Sequence, residues 1–123
     1  MSQDIVSDGL NQIMNIKKAR KSKVILSKYS KLLLNILDIA KAEGHLDYSI
    51  EGKKLIVNIK QLNEFKAIKP RYTVSVKKIN HYVRRFLPAK DFGFVIVSTN
   101  KGLIKHYEAE EKNLGGCLIA YIY

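Results

Sequence analysis

The chain has 123 residues, enough for one compact domain or two small lobes and too few for a multidomain enzyme. Apolar residues make up 46% of it, so a real core can form, while 22 Lys and Arg against 11 Asp and Glu leave a formal charge of +11 that repels itself unless a polyanion is near. The single cysteine, Cys117, excludes an internal disulfide framework and a zinc site of several cysteines. With no uninterrupted apolar run of about 18 residues and no signal-peptide pattern, the expectation is a soluble, intracellular protein that meets nucleic acid or an acidic membrane surface.

In chain order, Val6, Leu10, Ile13 and Met14 recur at helical spacing between Ile5 and Lys18, with Lys17 and Lys18 where cations suit a helix C-terminus. Val24-Ile25-Leu26 reads as a brief buried strand. Ser30 is placed to accept from an early backbone N–H as an N-cap, and the helix it opens runs through Leu33, Ile36, Leu37 and Ala40 to a stop at Gly44. Leu32, Leu34 and Ile39 add apolar sides, which predicts a central helix. Leu46, Tyr48 and Ile50 alternate with polar residues, as do Leu55, Val57 and Ile59, so an antiparallel hairpin turning at Glu51-Gly52 follows.

The second half predicts an extended piece around Ile68 to Val74, a helix from about Val76 to Phe86 and a strand from Phe92 to Val97. A loop, a short acidic helix near Tyr107 to Lys112 and a last strand from Cys117 to Tyr123 complete it. The fold class is α+β: an N-terminal α/β lobe, helix-strand-helix-hairpin, over residues 1–62, packed against a mostly antiparallel β lobe with short helices over residues 63–123.

Charge is shared between the halves, 11 basic minus 6 acidic residues through Lys60 and 11 minus 5 beyond it. Acid-free stretches, Lys17 to Lys31 and Lys66 to Lys90, imply one basic patch per lobe. At about 100° per residue, Lys77, Lys78, His81, Arg84 and Arg85 share one arc of their helix, opposite Ile79, Tyr82, Val83 and Phe86. Such an arc either meets phosphates or is a solvated face.

Catalysis has little support. His45, His81 and His106 show no metal-ligand spacing, so no metal or other cofactor is expected. Cys117 reads as a buried, inert thiol in a strand. No nucleophile elbow, dinucleotide turn or P-loop occurs, which excludes the common routes to acyl transfer, dinucleotide binding and nucleotide hydrolysis. A small histidine-dependent ribonuclease and a free-standing RNA-binding regulator are the alternatives to a structural RNA-binding protein.

Ser98-Thr99-Asn100-Lys101-Gly102 follows the apolar strand and gathers two hydroxyls, an amide and an ammonium beside a glycine. These groups suit an unpaired base edge, a 2′-OH and a phosphate. The same five residues also suit an ordinary polar hairpin turn. Gly115-Gly116 either lets a phosphate or ribose approach the main chain or bends the chain into the last strand.

Ile68-Lys69-Pro70-Arg71-Tyr72, the run from Phe86 to Phe94, Ser98 to Gly102, Leu114-Gly115-Gly116 and the aromatic end Ala120-Tyr121-Ile122-Tyr123 closely resemble the universal small-subunit ribosomal protein eight family, in its archaeal and eukaryotic branch. The resemblance covers essentially the whole chain. It implies a two-lobed, non-catalytic protein that binds the central domain of small-subunit ribosomal RNA early in assembly, at an irregular helix, beside neighbouring small-subunit proteins in the cytoplasm. Membrane and small-molecule partners are not expected. The resemblance places base and ribose recognition on Ser98, Thr99, Asn100, Lys101 and Gly102. Asn100 stands where the bacterial branch usually has serine. With the basic patches, the candidate RNA-binding set adds Gly115, Gly116, Ser30, Lys31, Lys69, Arg71, Tyr72, Lys77, Lys78, Arg84 and Arg85.

Overall fold

The structure, a computed structural model, describes residues 5–68, 73–88 and 92–123. Lys69, Arg71 and Tyr72 lie outside the described residues. The chain divides into two compact units, Met1–Phe65 and Lys66–Tyr123.

The first unit opens with α1 (Ile5–Lys18), which buries Val6, Gly9, Leu10, Ile13 and Met14, the stripe that its 3.6-residue period places on one side. Gly9 sits in that stripe because a Cβ there would lie 2.9 Å from Leu33 Cδ2, so its absence allows α2 to approach. After β1 (Lys23–Leu26), Ser30 caps α2 (Lys31–Ala42): its hydroxyl accepts from the Leu33 N–H at 3.2 Å. Gly44 follows the helix at φ +82°. The hairpin β2 (Leu46–Glu51) and β3 (Lys54–Ile59) completes a three-stranded antiparallel sheet in the order β1-β3-β2. Glu51 pairs with Lys54, so the turn falls on Gly52-Lys53, one residue beyond the expected Glu51-Gly52. Gly52 supplies φ +62° there.

Two expectations for this unit need correction. β1 is not buried throughout: Val24 and Leu26 face the core, while Ile25 points the other way and is 52% exposed. Helix α2 is not fully enclosed, since Leu33, Ile36, Leu37 and Ala40 are buried but Leu32, Leu34 and Ile39 are only half-buried. Both follow from a sheet that is covered by helices on one face.

At the edge of the unit, the Tyr48 hydroxyl donates to the Asp38 carboxylate, and Lys41 Nζ lies 3.2 Å from Asp47 Oδ1 and 5.5 Å from the Tyr48 ring centre. The carboxylate that accepts from Tyr48 holds the phenol protonated, pushing its pKa up to about 12. The Lys41 ammonium and the Tyr48 backbone N–H hold the Asp47 carboxyl below its ordinary value.

The second unit is built on a sheet in the order β4 (Phe65–Ala67), β8 (Gly116–Ile122), β6 (Phe94–Thr99), β7 (Gly102–Lys105), with β5 (Thr73–Val74) also paired to β8. Ile96 opposes Ala120 and Val97 opposes Leu118, so Ile119 is the extra residue of a bulge. The Ile119 carbonyl accepts from the Ile68 N–H at 2.8 Å. A 3-10 turn (Val76–Lys78) runs into α3 (Ile79–Phe86), and α4 (His106–Glu111) follows β7. Ile79, Val83, Leu87, Val95, Val97, Ala109 and Leu118 form a shared core with Ile68 and Val74.

Candidate nucleic-acid interface

The apolar run Phe94–Val97 is buried throughout, with Val95 and Val97 in the second unit's core, and the chain becomes polar only where β6 leaves this buried stretch at Ser98 and Thr99. These two residues belong to the strand, which corrects the expected five-residue loop. Thr99 pairs with Gly102, so the connection is a hairpin with Asn100 and Lys101 at its tip. Gly102 turns the chain back at φ +108°, a conformation that disfavours side chains. The Thr99 hydroxyl holds the turn together: it donates to the Gly102 carbonyl at 2.9 Å and accepts from the Lys101 N–H at 3.1 Å. Thr99 therefore shapes the hairpin, while the exposed Asn100 and Lys101 and the half-buried Ser98 supply outward chemistry.

Gly115 and Gly116 lie beside this tip, because Ser98 pairs with Cys117 across β6 and β8. A Cβ on Gly116 would collide with the Ser98 carbonyl, and one on Gly115 would lie 2.8 Å from the Val74 carbonyl oxygen and 3.3 Å from Ser75 Cα. The space that glycine keeps open is filled by protein backbone, which explains the pair as a close-packing device. Cys117, next in the strand, is half-buried rather than buried. By pressing against Val74 and Ser75, the start of β8 also fixes the start of the 3-10 turn that carries Lys77 and Lys78.

That turn and α3 sort their residues as the periodicity predicts. Ile79 and Val83 are buried and Tyr82 and Phe86 half-buried, whereas Lys77, Lys78, His81, Arg84 and Arg85 are exposed. The 3-10 geometry advances Lys77 and Lys78 by about 120° per residue, so the basic face bends at its start. Lys77 and Lys78 stand at one end of this face, and Arg84 and Arg85 at the other, where the Arg85 guanidinium lies 5.4 Å from the Tyr82 ring centre. In the first unit Ser30 is committed to its cap, and Lys31 is exposed in the first turn of α2.

One histidine that sequence weighs only as a metal ligand has a supporting role instead. His106 is buried at the start of α4, and its Nδ1 accepts from the Val95 N–H at 3.0 Å, which fixes Nδ1 as the unprotonated ring nitrogen. Its position directly after a short strand of mixed exposure gave no periodic signal. Among the described residues, no group of three or more His, Cys, Asp and Glu is arranged to hold a metal ion.

The family model for ribosomal protein S8 matches residues 4–123. The chain belongs to this family. Small ribosomal subunit protein uS8 of Nanoarchaeum equitans is 39% identical over 129 residues, covering 100% of both chains. The proteins of the same name from Archaeoglobus fulgidus and Pyrobaculum neutrophilum are 37% identical over 129 residues and 34% identical over 126 residues, covering 100% and 98% of this chain and 100% and 97% of their own. The resemblance read from the motifs is thereby established, and so is the α+β class. The family is one of structural, non-enzymatic ribosomal components.

Proposed function

We propose that the chain is a structural constituent of the small ribosomal subunit in the cytoplasm, where it binds the central domain of the small-subunit ribosomal RNA directly and helps it fold. The observation that carries this reading is the hairpin tip: a turn held by Thr99 that presents Asn100 and Lys101 to solvent on a rigid strand pair, with Ser98 below them. Short directional groups on a fixed backbone suit bases and riboses in one irregular arrangement, which a regular duplex does not offer. Lys77, Lys78, Arg84 and Arg85 neutralise phosphates from the same unit, and Lys31 does so at the first unit, where the start of α2 adds its partial positive charge. Lys69, Arg71 and Tyr72 belong to the same proposed surface by sequence. Gly102, Gly115 and Gly116 act in it through the backbone shape they permit, and Ser30 by fixing the helix start beside Lys31. The two units act as two RNA-binding lobes, with neighbouring small-subunit proteins as further partners.

A chemical footprint of the full chain on its own small-subunit RNA tests this. Protection confined to an irregular helix of the central domain is the expected result. Uniform protection along regular helices, or failure to co-sediment with the small subunit, contradicts it and favours a free-standing regulator.

A further inference from the structure

Four aromatic rings form a file in the second unit that the RNA surface described above does not use. Phe86, on the last turn of α3, stacks on Tyr121 of β8 with centroids 5.3 Å apart and planes at 24°. Tyr121 stacks on Tyr123 at 6.3 Å and 14°, because residues two apart on a strand share a face. Tyr123 meets Phe92 at 5.7 Å with a tilt of 56°. The inner rings pack against the unit's core, whereas Phe92 is 50% exposed.

The placement of Phe92 depends on its neighbour. Gly93 has φ +89°, and a Cβ there would collide with the Ile122 carbonyl and crowd Tyr123. Only glycine lets the chain enter β6 this close to β8, and that approach sets the Phe92 ring against Tyr123. A cap over apolar neighbours needs volume but no particular ring face, and it gains nothing from leaving half of a phenyl in water. A half-exposed ring at the end of a stack is what an unpaired base needs: a flat, rigid surface that binds any base through its π face. The charge nearby suits a polyanion. The stretch from Lys66 to Lys90 contains no acid, and Arg84 and Arg85 are exposed on the helical turn that supplies the inner ring. Asp91 is the one acid beside it in sequence, offset by Lys90.

We propose that Phe92, backed by Tyr123, Tyr121 and Phe86, is a stacking platform for one unpaired base of bound RNA, separate in role from the hairpin tip at Asn100-Lys101. This rests on the RNA-binding reading and adds a single-strand contact to it.

The chain contains no tryptophan, so Phe92→Trp places a sole indole reporter on the platform. The probes are an oligoadenylate of about 12 nucleotides, within the usual single-strand site range, and an inorganic polyphosphate of matched charge that has no bases. Binding of each is followed separately by anisotropy of the labelled probe. The expected result is quenching of indole emission by oligoadenylate and no quenching by bound polyphosphate. Phe92→Leu, which keeps an apolar cap, should weaken oligoadenylate binding by roughly 5- to 10-fold and polyphosphate binding not at all, while Phe92→Tyr preserves both. Oligoadenylate that binds without quenching, and with equal affinity for Phe92→Leu, overturns the platform and leaves the RNA-binding reading standing. Absence of oligoadenylate binding by the unsubstituted chain, and of binding to its own small-subunit RNA, overturns both. An emission change caused only by RNA-free small-subunit proteins replaces the base with a protein contact and also overturns the platform.

Discussion

Both units carry excess positive charge, 11 basic against 7 acidic residues in the first and 11 against 4 in the second, but they deploy polar side chains differently. In the first, several polar groups are engaged locally, Ser30 of the candidate set among them: the Ser30 hydroxyl caps α2, the Tyr48 hydroxyl holds Asp38, and Lys41 sits between Asp47 and the Tyr48 ring. In the second, Thr99 is likewise committed to its turn, but the effect of that commitment is to project Asn100 and Lys101 outward. Backbone contacts at Gly93, Gly115 and Gly116 then fix the strands beneath them. Net charge attracts any polyanion and does not by itself mark where specificity lies. Directional groups count once those used within the chain have been subtracted, and by that measure the proposed reading of RNA shape falls to the second unit, with the first proposed to add more general electrostatic attraction.

The sharpest way to break this contrast compares two glycines of positive φ. Gly93 is crowded by backbone, so Gly93→Ala combines conformational strain with overpacking and should cost roughly 2–5 kcal/mol. Gly52, in the first unit's hairpin, has open space around its missing Cβ, and Gly52→Ala should cost only about 1 kcal/mol. Denaturant midpoints of the two variants measure the difference; equal losses mean that the close approach of β8 and β6 is not the tighter constraint.

Next in size is His106. Replacing it with leucine keeps the site filled but removes the acceptor for the buried Val95 N–H, for an expected loss of about 1–3 kcal/mol. Hydrogen exchange should accelerate at Val95 before it does in the first unit. In that unit, Ser30→Ala should lower stability by about 0.5–2 kcal/mol through loss of the cap, with RNA affinity nearly unchanged at fixed folding. A loss of affinity without loss of stability there assigns the hydroxyl to RNA instead.

The smallest effect concerns Tyr48. Its folded pKa is raised, so its hydrogen bond to Asp38 contributes stability that is fully present below the unfolded value near pH 10 and is lost as pH rises toward about 12. Solvent screening at this partly exposed site limits that contribution to about 1 kcal/mol. Tyr48→Phe should remove this part of the pH dependence between pH 10 and 12, as read from urea unfolding at a series of pH values.

Much of the fold was legible because the relevant residues repeat. The helix Ile5–Lys18, the capped start of α2, the paired strands of the first hairpin and the two-sided 76–86 segment all announce themselves by period 3.6 or 2. β7 does not, since four residues of intermediate or full exposure give no alternation, and so the pattern alone assigns the polar end of β6, Ser98-Thr99, to a loop. The role of Gly115-Gly116 was illegible for another reason. A glycine pair states that a side chain is absent, and only the fold shows that Ser98, Val74 and Ser75 occupy the space. Likewise Ile25 lies in an apolar triplet that hides the alternation between it, exposed, and its buried neighbours Val24 and Leu26. Chemistry at the hairpin was legible in residue type; the division of labour between Thr99 and Asn100 was not.

The claim that the second unit reads RNA shape is tested most directly by a paired titration at one salt concentration. Thr99 is kept so that the turn survives, Ser98 and Asn100 are both replaced by alanine, and affinity is measured for the irregular central-domain helix and for a regular duplex of equal length. Two lost hydrogen bonds predict about a tenfold or greater loss on the irregular helix and almost none on the duplex, while Lys101→Ala weakens both alike. Equal losses on the two RNAs after the double replacement would contradict the account.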